Sequence, residues 1–255
     1  MKFKLSSTFI MKALLFLVLT NTSLSAISQM DSLKKVEPLV ATANININNN
    51  GISLFPNLSF GKPAAIINLS VGKKNIYFEP ELRWGLNGQP WSYIYWFRYK
   101  YRKTEKFGAN VGVHPSYVFK ETPVVINGVQ ENRYISQRYF AGEIVPTYYF
   151  SKKFALGIHY LYSKGLDSYA TQNSHFMALQ PKFPNITVNK TCFLSFYPQL
   201  FYLILDDKSG TYVSESLSFN KKNLPLNISS IFTYKINSTI PGDDIVWNIG
   251  VNYRL

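Results

Sequence analysis

Glu79-Pro80-Glu81 sets two carboxylates on one side of an extended chain, the pairing that acid and base work would use. Arg83 follows two residues later and Arg98 lies in the next aromatic-rich stretch, so mutual charge neutralisation is the simpler role for these four. His114-Pro115-Ser116 places a histidine and a serine two apart, on one face of a strand, where they could form a nucleophile pair. Cys192 is the single cysteine, with no Cys-x-x-Cys and no Cys/His cluster, so no intramolecular disulfide, structural zinc or other metal site is expected. Glycine-rich phosphate loops and nucleotide fingerprints are missing too, and no cofactor is implied.

Chemistry at these positions depends on what holds them, and the surrounding pattern is alternation. Ile245, Trp247, Ile249, Val251, Tyr253 and Leu255 share one face of an extended segment, while Asn248, Gly250, Asn252 and Arg254 share the other. Trp91, Tyr93, Tyr95, Phe97, Tyr99 and Tyr101 repeat this period of two, opposed by Ser92, Arg98 and Lys100. The same period runs through 76–85, 154–163 and 192–204, and more weakly through 65–72, 107–120, 138–150, 174–182, 211–220 and 224–236. With a further strand at 51–60, the chain is expected to form twelve strands over 51–255, preceded by a linker at 29–50.

Residues 1–28 read as a cleavable export signal, with Lys2, Lys4 and Lys12 ahead of an apolar run from Ala13 to Thr20 and a small polar region before the cut. No later stretch of about eighteen apolar residues exists, which excludes helical spans. Of 255 residues, 16% are aromatic and only 16% charged, low against the ~25% charged share usual in water-soluble domains. The 27 Lys and Arg fall to 24 once the export segment leaves, against 14 Asp and Glu, so the mature chain carries about +10. Those cations are scattered among turns rather than gathered beside stacking aromatics, which disfavours nucleic-acid binding.

The connections alternate in character. Lys73-Lys74-Asn75, Arg102 to Lys106, Ser151-Lys152-Lys153, Asn185 to Lys190 and Asn220 to Asn223 are mostly short and basic. Between them come generally longer, more acidic stretches, including Glu121 to Arg133, Leu166 to Asn173 and Asp206 to Gly210. Aromatics gather at strand ends on the apolar face: Trp84 and Trp91 at a longer loop, Tyr101 and Phe107 around one short turn, Phe150 and Phe154 around another.

In this pattern the chain resembles the Gram-negative outer-membrane β-barrel family, whose final strand alternates apolar and polar residues and usually ends in an aromatic. The resemblance implies an all-β, up-and-down antiparallel transmembrane barrel with both termini on the periplasmic side. It also implies that 245–255, with Trp247, Tyr253 and Leu255, serves the barrel-assembly machinery; Leu255 departs from the usual terminal Phe. Outer-membrane lipids would surround the apolar faces.

With those faces outward, the interior should receive Glu79, Glu81, Arg83, Arg98, Lys100, His114, Lys120, Glu143, His159, Lys235 and Arg254. Pairing across the hairpin at 85–90 would bring Glu79 near Arg98, directly or diagonally. A charged constriction favouring small anions and a solid ion-paired plug are both compatible with that set. An outer-membrane enzyme acting on lipid or peptide would use His114 and Ser116, but outer-membrane phospholipases mount their pair on the lipid side, whereas the phase here turns both residues inward. A soluble periplasmic β-sandwich would show the same alternation without the parity of the connections.

Overall fold

The computed structural model describes residues 37–255 except 54, 56, 57 and 103. The export segment expected at 1–28 and residues 29–36 of the expected linker lie outside the described residues. Twelve antiparallel strands close on themselves, each paired with its sequence neighbours and β1 with β12. They are β1 Val40–Asn48, β2 Ala64–Lys73, β3 Ile76–Gly85, β4 Pro90–Arg102, β5 Phe107–Ile126, β6 Val129–Tyr149, β7 Ala155–Gly165, β8 Asn173–Thr187, β9 Cys192–Leu205, β10 Lys208–Lys221, β11 Leu226–Ser238 and β12 Ile245–Arg254. Both ends of the described chain lie at one rim, with the turns after the even strands; we call it the turn end, and the opposite rim the loop end.

Burial shows which face is which. Trp247 is 51% exposed and its neighbour Asn248 only 6%, and the phase holds from Ile245 to Tyr253. Phe97, Tyr99, Ile144, Ile158, Leu200 and Phe232 likewise point out. A water-soluble barrel would bury these side chains and expose the asparagines, so the barrel is built for an apolar surround. Outward aromatics meet in two chains at different heights. Trp84, Tyr93 and Phe119, on the adjacent strands β3, β4 and β5, follow one another at 5.3 and 5.2 Å toward the loop end. Tyr148, Phe150, Phe154 and Phe183 follow one another at 4.8–5.1 Å toward the turn end. Tyr101 and Phe107 are exposed beside the latter rim.

Three expectations need correction. The first strand is Val40–Asn48, where a linker was expected, and 51–60 is not a strand. The segment Ile45-Asn46-Ile47-Asn48 alternates well, but its polar face is entirely asparagine. That makes sense only beside Asn252 of β12, 206 positions away, to which Asn46 donates at 3.0 Å. After β1 the described residues turn back inside: Gly51 N–H donates to the Lys62 carbonyl and Phe55 packs 6.3 Å from Phe176.

Second, Trp91 is not part of an outer aromatic ring. A bulge opposite Arg83 and Trp84 puts one extra residue into β4, which reverses the phase at its start. Trp91 therefore points inward and is 1% exposed; its indole N–H donates to the Leu58 carbonyl at 2.8 Å, and its ring stacks on Phe60.

Third, 121–133 is not a long loop. β5 and β6 stay paired up to Ile126 and Val129, joined by Asn127-Gly128 with φ of 52° and 80°. Asparagine and glycine tolerate the two positive φ values that a tight type I′ hairpin needs, so the strands run on as a protruding ribbon. The connection after β9 is likewise just Asp206-Asp207.

Candidate constriction in the barrel lumen

The lumen wall has an apolar and a polar sector. On β7–β10, Leu161, Phe176, Phe201, Leu203 and Tyr212 turn inward and form one buried cluster that also includes Trp96. Elsewhere the inward positions carry polar groups, because a period of two makes every second residue of each strand a lumen residue.

Arg98 sits at the centre of the polar sector. Its register partner on β3 is Tyr77, so Glu79 is its diagonal neighbour, and Nη1 donates to Glu79 Oε2 at 2.9 Å. Toward the other side, Nε donates to Glu143 Oε1 at 2.7 Å, although Glu143 is on β6, two strands away. Gly112 makes that reach possible. It lies between Arg98 and Glu143 in the ladder, and a Cβ there would meet Arg98 Cγ at 3.0 Å and Trp96 at 3.1 Å. The guanidinium also lies 4.0 Å from the Trp96 ring centre, which fixes its plane.

The contacts continue around the wall. Ser70 donates to Glu79 at 2.7 Å, and Lys100 pairs with the same carboxylate at 2.5 Å. Beyond Glu143, His159 lies 3.0 Å from Oε2, Gln180 3.4 Å from His159, and Gln180 donates to Gln199 at 3.1 Å. A hydrogen-bonded belt thus runs from β2 to β9. On the far side Asn46, Asn252, Asn227 and Ser229 form a second, uncharged run at 2.8–3.0 Å. Buried polar groups satisfied in this way hold their rotamers, so the belt is a fixed cross-section rather than a fringe of mobile side chains.

Glu81 and Arg83 pair with each other, and Arg83 lies 4.7 Å over the inward Trp91 ring. Lys182 donates to Thr147 at 3.3 Å, and Arg254 reaches Asn220 at 3.4 Å. Among the described residues neither of these two cations has a carboxylate partner. Lys235 is spent at the loop end on Asp244, at 2.6 Å.

Space remains on both sides of the belt. A cavity of about 210 Å³ opens toward the loop end and one of about 470 Å³ toward the turn end, and Glu81, Trp96 and Arg98 line both. A third, of about 370 Å³, is walled by Asn44, Asn46, Asn68, Asn248 and Asn252. The charged residues Glu81 and Arg98, with Trp96, therefore lie between the two vestibules.

Other residues singled out above have different surroundings. His114 and Ser116 both line the smaller cavity, but no hydrogen bond joins them among the described residues, and His114 packs edge-on to Trp96 at 4.1 Å. His175 faces outward near the loop end, where Tyr160 Oη lies 2.9 Å from its Nδ1. No cluster of three or more metal-ligating side chains exists among the described residues.

Ser70, Gln180, Gln199, Asn46, Asn227 and Ser229 were not among the expected interior residues. Neutral inward residues carry no signal in a charge count; only the ladder register would have found them. One outward acid, Glu215, shares the face of Val213, Leu217 and Phe219 and stands between Pro198 and Phe232 on the apolar surface.

Inside-out burial, even strand count and closed nearest-neighbour pairing define a transmembrane β-barrel of the outer-membrane type. Solved structures similar to it include porins and a channel. The KdgM porin matches with a TM-score of 0.52 at 9% identity, covering 83% of this chain and 98% of that one. The NanC porin matches with a TM-score of 0.51 at 12% identity, over 84% and 100% of the two chains. An outer-membrane channel from Pseudomonas putida F1 matches with a TM-score of 0.50 at 8% identity, over 88% and 99%. No protein-family model matches the sequence, and no curated protein does.

Proposed function

We propose that this protein is a narrow, non-enzymatic pore of a Gram-negative outer membrane that passes small solutes past an ion-paired constriction, with a weak preference for anions. The observation that carries the reading is the pair of vestibules meeting at Glu81, Trp96 and Arg98. Open volume on both sides of the charged layer favours a passage over a filled interior. The preference follows from charge balance. Glu79, Glu81 and Glu143 are each matched by a cation, whereas Lys182 and Arg254 bring positive charge without a carboxylate partner. Rings of uncompensated charge bias a pore toward the opposite ion. The porins that share the fold support the reading at the level of architecture.

Purified protein reconstituted in planar bilayers under a potassium chloride gradient should conduct in small discrete steps, with a zero-current potential on the chloride side. Lys182→Glu combined with Arg254→Glu should move that potential to the potassium side. A silent bilayer, or cation preference in the unaltered protein, would overturn the proposal.

A further inference from the structure

The two rims of the barrel differ in how their charges are matched. At the loop end Arg133 is spent on Glu131, Arg138 on Asp167 and Lys235 on Asp244, at 2.6–2.8 Å. The five turns of the opposite rim carry cations without such partners. Lys73 and Lys74 stand at the turn after β2, Arg102 and Lys106 at that after β4, and Lys152 and Lys153 at that after β6. Lys190 follows β8, and Lys221 and Lys222 stand at the turn after β10. All nine are exposed, and the described residues of these turns hold one acid against them, Glu105. Among the described residues none of the nine has a carboxylate partner. Arg102 alone donates from its side chain, to the carbonyls of Thr104 and Glu105 at 3.2 and 2.7 Å. Like charges crowded on one rim repel one another unless anions lie among them.

Position limits what those anions can be. The cations are shared among all five turns of a closed barrel, so they encircle the rim instead of forming one patch. Outward apolar side chains accompany them. Tyr101 and Phe107 flank Arg102 and Lys106, while Phe150 and Phe154, stacked at 5.0 Å, flank Lys152 and Lys153. Phe219, 43% exposed, precedes Lys221 by two residues on the same outward face, and Ile76, 70% exposed, is the register partner of Lys73. Aromatic rings at a rim mark the level where acyl chains give way to headgroups. A lysine there lays its stem along the apolar surface and keeps its ammonium among the headgroups. The connections are only two to five residues long, which holds the charges at that level and prevents them from projecting beyond it.

We propose that the turn-end rim is a binding surface for phospholipids whose headgroup carries a net negative charge, gathered around the barrel in the leaflet on that side. The outward rings hold the acyl chains, and the ring of lysines holds the headgroups. The proposal goes beyond the pore reading and does not rest on it, since a barrel with a closed lumen would present the same rim.

The test is electron paramagnetic resonance of the folded barrel in phosphatidylcholine vesicles that carry a trace of chain-labelled phosphatidylglycerol or, in a parallel sample, chain-labelled phosphatidylcholine. Lipid held at the protein surface gives a motionally restricted component, and its size under the two labels measures relative association. A lysine or arginine beside an anionic surface is worth roughly fivefold, and the label also samples the loop-end leaflet. Phosphatidylglycerol should therefore associate about two- to fivefold more strongly than phosphatidylcholine at low salt. The two should become nearly equal at about 1 M salt, where the screening length falls to ~3 Å. Combining Lys73→Gln, Lys74→Gln, Lys152→Gln, Lys153→Gln, Lys221→Gln and Lys222→Gln should abolish most of the preference, whereas Lys164→Gln with Lys208→Gln at the loop end should leave it unchanged. Heat-modifiable gel mobility identifies folded variants; if the sextuple variant fails to fold, each of its three pairs replaced alone should lower the preference. Equal association of the two lipids with the unaltered protein would overturn the proposal. So would a preference that survives in the turn-end variants, or one that the loop-end variant removes as well.

Discussion

Replacing Arg98 with methionine tests whether the belt holds the barrel's cross-section. The guanidinium makes two charge-assisted contacts, at 2.9 Å to Glu79 and 2.7 Å to Glu143, whose side chains are 15% and 5% exposed. Hydrogen bonds to charged groups are worth about 1.5–3 kcal/mol each, and removing one member of a buried pair costs about 3–5 kcal/mol. The upper values do not apply, because Glu143 keeps His159 and Glu79 keeps Lys100 and Ser70. Each acid loses one partner and retains another, so Arg98→Met should destabilise by about 2–3 kcal/mol, well above the ~0–1 kcal/mol of a solvated surface pair. Urea titration of the barrel folded in lipid vesicles, read by heat-modifiable gel mobility and tryptophan fluorescence, measures the loss. Adding Glu143→Gln to the Arg98→Met background should recover about 1 kcal/mol, since the second change removes a buried charge that has lost one of its two partners. A loss below about 0.5 kcal/mol with no recovery would mean that the lumen is open water at this level and that the belt fixes nothing.

Gly112→Leu should destabilise by about 1–3 kcal/mol by the same titration, because the new side chain occupies the path Arg98 takes to Glu143; equal stability would show that the path is wider than this. Trp91→Ala removes the tether to Leu58 and the stack on Phe60, so single-channel conductance should rise as Leu58 and Phe60 leave the lumen wall; unchanged conductance would free these two residues of any part in narrowing it. At the loop end, the hydrogen bonds that Arg138 donates hold the Asp167 carboxyl below its ordinary range. A depressed folded value means that the contribution is complete above the unfolded pKa of about 3.9 and is lost as pH falls through the folded value. Hydrogen exchange in 166–172 should therefore be flat from about pH 5 to 8, after correction for intrinsic rates, and accelerate only below about pH 4. Acceleration near neutrality would contradict the assignment.

The fold was legible because a tilted crossing of an apolar band leaves a period of two that charge and aromaticity both mark. The last strand showed it from Ile245 to Leu255, and burial follows the same phase as far as Tyr253. Strand count survived an error in strand identity. Asn44 to Asn48 reads as linker because asparagine has low intrinsic strand preference, and only the partners Asn252 and Asn68 across the closed sheet give those amides something to do. Trp91 failed for a different reason. A bulge changes phase by one residue and leaves no composition signal, so an inward tryptophan looked like part of an outward series. For the lumen, charged inward residues could be read from phase, including the diagonal between Glu79 and Arg98. The reach from Arg98 to Glu143 over Gly112 could not, because it depends on three strands and one missing side chain.

The central claim is that the apolar phase faces lipid and the polar phase faces the lumen. It is tested most directly by spin labels placed one at a time at 247 to 252 in a Cys192→Ser background, in lipid vesicles, comparing accessibility to oxygen with accessibility to a water-soluble nickel chelate. Positions 247, 249 and 251 should favour oxygen, and 248, 250 and 252 should be shielded from it. The inverse phase, or no alternation at all, would contradict the account.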